Sequence, residues 1–93
     1  MKIKLVYEAQ LREAAGCSEA DLQVNDGLSV AGLLQQVAAE QESLRPRLLG
    51  DDQHPLPSLL IFVNERPVER EAAARQSLTD GDTVLLLPPI SGG

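Results

Sequence analysis

Residues 78–93 read Leu78-Thr79-Asp80-Gly81-Asp82-Thr83-Val84-Leu85-Leu86-Leu87-Pro88-Pro89-Ile90-Ser91-Gly92-Gly93, and this stretch decides the fold. Asp80-Gly81 is turn chemistry, because Asp bonds its own backbone and Gly accepts a left-handed conformation. Residues 83–87 are then an unbroken β-favouring run. Pro88 and Pro89 end its pairing, since neither has an N–H to donate. A run apolar on both faces predicts a central strand.

Working outward, Leu59-Leu60-Ile61-Phe62-Val63 is a second continuous apolar run and reads as a strand buried on both faces. Asn64-Glu65-Arg66-Pro67 reads as a turn, with a very short strand starting at Val68. Residues 50–58 carry two prolines, a glycine and two aspartates, a loop composition. At the other end, Ile3, Leu5 and Tyr7 alternate with Lys2, Lys4 and Glu8, a strand pattern that Val6 interrupts. Helix formers follow at 9–15 and stop at Gly16, and residues 21–24 alternate again. These two strands fit an antiparallel pair.

Ser29 is an N-cap candidate for a helix over 30–42. There Val30, Leu33, Leu34, Val37 and Ala38 form one apolar stripe, which reads as core and not as a site. Gly32 inside it costs about 1 kcal/mol relative to Ala. Pro46 stops that helix or opens a short second one. The order is strand, strand, helix, strand, short strand, strand. It predicts an α+β fold: a mixed sheet of four to five strands packed on one main helix, with the last strand parallel to the first through the helical crossover.

The 93 residues fit one domain, and 43% hydrophobic with 24% charged is ordinary globular usage. With 8 Lys and Arg against 14 Asp and Glu, the formal net charge is −6. No basic stripe is present to meet a phosphate backbone, so no nucleic-acid role is expected. The acidity equally disfavours an anionic membrane surface, and no segment is apolar enough to span one. A cytoplasmic protein is the expectation.

Side-chain chemistry is sparse. Cys17 stands alone, so neither an internal disulfide nor a cysteine metal site forms. His54, between prolines and aspartates in a loop, reads as a solvated side chain. The pairs Asp51-Asp52 and Asp80-x-Asp82 read as turn caps in preference to metal ligands, and no metal site is expected. What remains is Gly92-Gly93. At about 7% glycine, two terminal glycines occur by chance in roughly 0.5% of chains, which makes the pair a signal. A frayed end is the plain reading. The functional one is that two residues without Cβ thread a narrow channel and deliver the terminal carboxylate to another protein's active site.

Strands around one helix with a Gly-Gly end resemble the ubiquitin-like β-grasp sulfur carriers, above all the small subunits of molybdopterin synthase. Residues 7–16, Tyr7-Glu8-Ala9-Gln10-Leu11-Arg12-Glu13-Ala14-Ala15-Gly16, resemble that family's first strand and its Ala-x-Leu-Arg-Glu turn. Residues 78–93 are similar to its Leu-x-Asp-Gly-Asp-x-Val to Pro-Pro-x-x-Gly-Gly ending, and Phe62-Val63-Asn64 to one of its strand ends. Leu86 and Leu87 stand where the family often has aromatic residues.

The resemblance implies a β-grasp domain over 1–88 and a flexible tail over 89–93. It implies no side-chain active site in this chain, which would be the sulfur-donating subunit of a two-subunit sulfurtransferase. An E1-like adenylating enzyme would use ATP to activate Gly93, a sulfur donor protein would convert it to a thiocarboxylate, and the synthase large subunit would accept the tail. No cofactor would be bound by the chain itself. Gly92 would clear the channel; Pro88, Pro89, Ile90 and Ser91 would line the tail's path; and Leu86 and Leu87 would add partner contact where exposed. Three other readings stand beside this one: a carrier for cysteine, tRNA thiolation or thiamine, a ubiquitin-like protein modifier, and a plain interaction module.

Overall fold

The computed structural model describes residues 1–88. The last five residues lie outside the description, and with them the expected tail boundary at 89–93. The elements are β1 (Lys2–Tyr7), α1 (Gln10–Ala15), β2 (Glu19–Gln23), α2 (Val30–Glu40), α3 (Arg45–Leu48), β3 (Leu60–Val63), β4 (Arg66–Val68) and β5 (Thr83–Leu87). Two 3-10 turns, Glu42–Leu44 and Arg70–Ala72, complete the order.

The strands form one sheet in the order β2-β1-β5-β3-β4. β1 and β5 are parallel, with Leu5 opposite Val84 and Tyr7 opposite Leu86. The other pairs are antiparallel. The α+β sheet, the central last strand and its parallel partner are therefore as expected.

α2 begins where Ser29 accepts a 3.0 Å bond from the Gly32 N–H, one of the orphan donors of a helix start. It ends two residues earlier than the 30–42 predicted from periodicity, because the chain tightens into a 3-10 turn around buried Leu44. Gly32 has a steric cause: a Cβ there would stand 2.7 Å from the Leu28 Cδ1 that closes over the first turn. The stripe Val30, Leu33, Leu34, Val37 and Ala38 is buried in one core with Ile3, Leu5, Tyr7, Ile61, Val63, Val84 and Leu86. The core is almost wholly aliphatic, so many small contributions of roughly 1.5–3 kcal/mol per side chain replace a few large aromatic ones.

Two expectations are corrected. β3 is not buried on both faces: Ile61 and Val63 point into the core, Phe62 is half-buried, and Leu60 is 48% exposed. An apolar run lacks the alternation that would have shown this, because the open face of the sheet is itself apolar. The turn after β3 is also tighter than the four residues read as one. Only Asn64 and Glu65 turn, with φ of 50° and 71°, the left-handed pair that joins antiparallel strands with the right twist. Arg66 and Pro67 already belong to β4, where Pro67 faces Phe62. β4 is an edge strand and tolerates a residue with no N–H.

Candidate functional site

β5 runs through the middle of the sheet, and its two ends are built differently. At its start, Asp82 accepts bonds from the Thr79 N–H (2.8 Å) and the Thr79 hydroxyl (2.9 Å). The Asn64 amide also donates to it at 2.8 Å, and the Asn64 carbonyl accepts the Thr83 N–H at 3.0 Å. Asp80 accepts the Lys2 N–H. Both aspartates are thus turn and strand caps. Burial raises the Asp82 pKa, but its hydrogen bonds outweigh that and hold it below the usual carboxylate range. Asp52 is likewise lowered, chiefly by the His54 N–H bond, and Arg70 pairs with it at 3.1 Å.

The finish of β5 points toward the tail. Leu86 is fully buried, so it offers no surface to a partner; its side chain faces α2 because strand residues alternate. Leu87, on the opposite face, is half-buried and Pro88 is half-buried. Pro89, Ile90, Ser91, Gly92 and Gly93 lie outside the described residues. Beside Pro88, the Glu8 N–H reaches the Leu86 carbonyl at 3.1 Å, and the chain turns into α1 through Ala9 at φ 52° and ψ −130°. An L residue rarely takes that conformation, and holding it costs on the order of 1–3 kcal/mol.

The open face of the sheet carries a row that sequence reading missed: Glu19, Val6, Leu85, Phe62 and Pro67 stand in register across all five strands. Leu60 and Leu87 pair next to it. A cleft of about 620 Å³ between Phe62, Leu85 and the Asn64-Glu65 turn adjoins this band. The alternation of Leu60 and Phe62 with Ile61 and Val63 was the available signal, masked because both sets are apolar.

Among the described residues, nucleophilic and acid–base groups do not converge. Cys17 is free and exposed, remote in role from His54, whose N–H caps Asp52. Burial, with smaller contributions from Cys17 and Glu40, pushes the Tyr7 hydroxyl up to about 12, so it stays protonated at neutral pH. Among the described residues, no three His, Cys, Asp or Glu side chains gather as a metal site. No helix among them is long and apolar enough to cross a membrane.

A five-stranded mixed sheet wrapped on one long helix, with the chain end issuing from its central strand, defines the ubiquitin-like β-grasp class. SAMP1 from Haloferax volcanii superposes with a TM-score of 0.88 at 25% identity, each chain covered in full. The chain belongs to the ThiS family of ubiquitin-like sulfur carriers, whose model matches residues 5–93. It is 33% identical to the molybdopterin synthase sulfur carrier subunit of Chlamydomonas reinhardtii, over the full length of both. It is 31% identical to small archaeal modifier protein 3 of Haloferax volcanii, again over both full lengths.

Proposed function

We propose that this chain is the sulfur-carrying small subunit of a molybdopterin synthase, acting in the cytoplasm through Gly93. The observation that carries the reading is the family match running through the last residue, together with the 33% full-length identity to a sulfur carrier subunit. The described residues hold no converging catalytic set, which suits a chain whose reacting group is its terminal carboxylate. An E1-like enzyme joins that carboxylate to AMP from ATP, releasing pyrophosphate. A persulfide sulfur of a sulfur donor protein then displaces AMP, and a thiol reduces the resulting acyl disulfide, leaving a thiocarboxylate. The tail next enters the large subunit, gives up its sulfur to a pterin precursor and returns as a carboxylate. ATP and pterin chemistry belong to the partners. The carrier supplies a narrow end, Gly92 and Gly93, a path through Pro88, Pro89, Ile90 and Ser91, and the apolar band of Leu87, Leu60, Phe62 and Leu85 as docking surface.

A second reading, a ubiquitin-like modifier, is favoured by the 31% full-length identity to an archaeal modifier. Both begin with activation of Gly93 and differ in what attacks it: sulfur in one, a lysine amine in the other. Intact mass after incubation with the adenylating enzyme, ATP and a sulfur donor separates them. Exchange of one oxygen for one sulfur, lost in Gly93→Ala with the circular dichroism unchanged, supports the carrier. Adducts of higher mass without that exchange would move the assignment to the modifier.

A further inference from the structure

We propose that the cleft at the root of the tail, centred on Arg47, is an anion-recognition point that takes an acidic side chain of the adenylating enzyme. The proposal rests on the carrier reading, but it turns on Arg47, a residue that reading does not use.

The cleft holds about 250 Å³ and is lined by Gln10, Leu11, Arg47, Leu56, Ser58 and Pro88. Three separate segments build it around Pro88, the last described residue of the chain. Its floor is apolar, from Leu11, Leu56 and Pro88. Its polar lining residues are Gln10, Arg47 and Ser58, and none of the described lining residues is acidic. In a chain of net charge −6, that is a local reversal of sign.

The other arginines near this end are already engaged. Arg12 pairs with Glu8 at 3.3 Å, Arg45 with Glu42 at 3.6 Å, and Arg70 with Asp52 at 3.1 Å. Among the described residues, Arg47 has no carboxylate within ion-pair distance. It is exposed and lies in the short α3, directly after Pro46 in that helix's first turn. A guanidinium beside a hydroxyl and an amide matches the planar, two-oxygen geometry of a carboxylate.

The second, independent observation is the strain at Ala9. Ala9 stands at φ 52° between β1 and α1, directly before Gln10 and Leu11, which line the cleft with Pro88. Backbone strain of this kind persists where surrounding structure enforces it, and it clusters at working sites. The activating enzyme is the chosen partner because both readings of Gly93 start with activation.

The test is the rate of adenylation, followed by pyrophosphate release, with the adenylating enzyme of the same organism and ATP. Wild type, Arg47→Ala, Arg47→Glu and Arg75→Ala are compared across a salt series. Arg75 is exposed and lies at the far end of α2, where the Gln76 carbonyl caps Val30. We expect KM to rise about tenfold in Arg47→Ala and further in Arg47→Glu, with kcat nearly unchanged and a shallower salt dependence. Arg75→Ala should match wild type. Unchanged KM in Arg47→Glu, or an equal rise in Arg75→Ala, overturns the cleft while the carrier reading stands on the wild-type rate. A folded wild-type chain that this enzyme does not activate overturns both.

Discussion

β5 is only five residues long, yet one end is tied down by side chains and the other is left to be used. At the start, Asp80, Asp82 and Asn64 accept the backbone N–H groups of Lys2, Thr79 and Thr83, and each carboxylate has a structural partner. At the finish, the strand passes buried Leu86, whose carbonyl accepts the Glu8 N–H next to strained Ala9, and ends beside a cleft whose guanidinium has no carboxylate partner among the described residues. The difference teaches where a carrier spends its polar groups. A fixed start sets the register of the central strand, and through it where the tail leaves the sheet. The exit keeps surface and charge available for another protein.

The largest break in that contrast is at the start. Asp82→Ala removes three hydrogen bonds and leaves the Asn64 amide without its acceptor. Net bonds to a charged group are worth about 1.5–3 kcal/mol, less where solvent competes, so we expect a loss of about 1–3 kcal/mol in denaturant unfolding. Adenylation of the chain that remains folded should be little changed, because nothing near Pro88 is touched. A variant as stable as wild type would show that the start of β5 is held by its strand pairing alone.

The exit responds in the opposite direction. Ala9→Gly releases a conformation that costs on the order of 1–3 kcal/mol and gives back part of it as extra freedom of the unfolded chain. A gain of about 1 kcal/mol is expected, seen as a higher Tm. If the strain also builds the cleft wall, that more stable variant should show a higher KM for adenylation. Greater stability with unchanged KM would separate the strained turn from recognition.

Much of this contrast was legible in the chain. Asp80-Gly81-Asp82 before a β run and Pro88-Pro89 after it gave β5 its limits, because turn and stop signals are local. The stripe of α2 and its Ser29 cap were local too. What escaped was anything requiring two segments at once. The Asn64 to Asp82 bond joins positions that the sequence separates, and the cleft draws Gln10, Arg47 and Ser58 from three places. β3 was misjudged for a different reason: Leu60 and Phe62 look like core residues, and only the sheet's open face, with no helix on it, shows that they are surface.

The smallest expected effect is acid sensitivity, and it falls on the start of β5. Asp82 has a folded pKa below its ordinary value, so it contributes stability above the unfolded carboxylate pKa that is lost as pH falls through the folded one. Asp52, exposed in the 50–58 loop and lowered mainly by the His54 N–H, adds a weaker contribution of the same sign. The described lining of the exit cleft has no acidic side chain and adds none. Tm measured from neutral pH down through the carboxylate range should therefore decline in wild type. Asp82→Asn keeps an acceptor oxygen but cannot titrate, so its decline should be shallower, from a lower Tm at neutral pH. Parallel curves for the two proteins would mean that Asp82 is not the group that senses acid, and the ends of β5 would no longer differ in this respect.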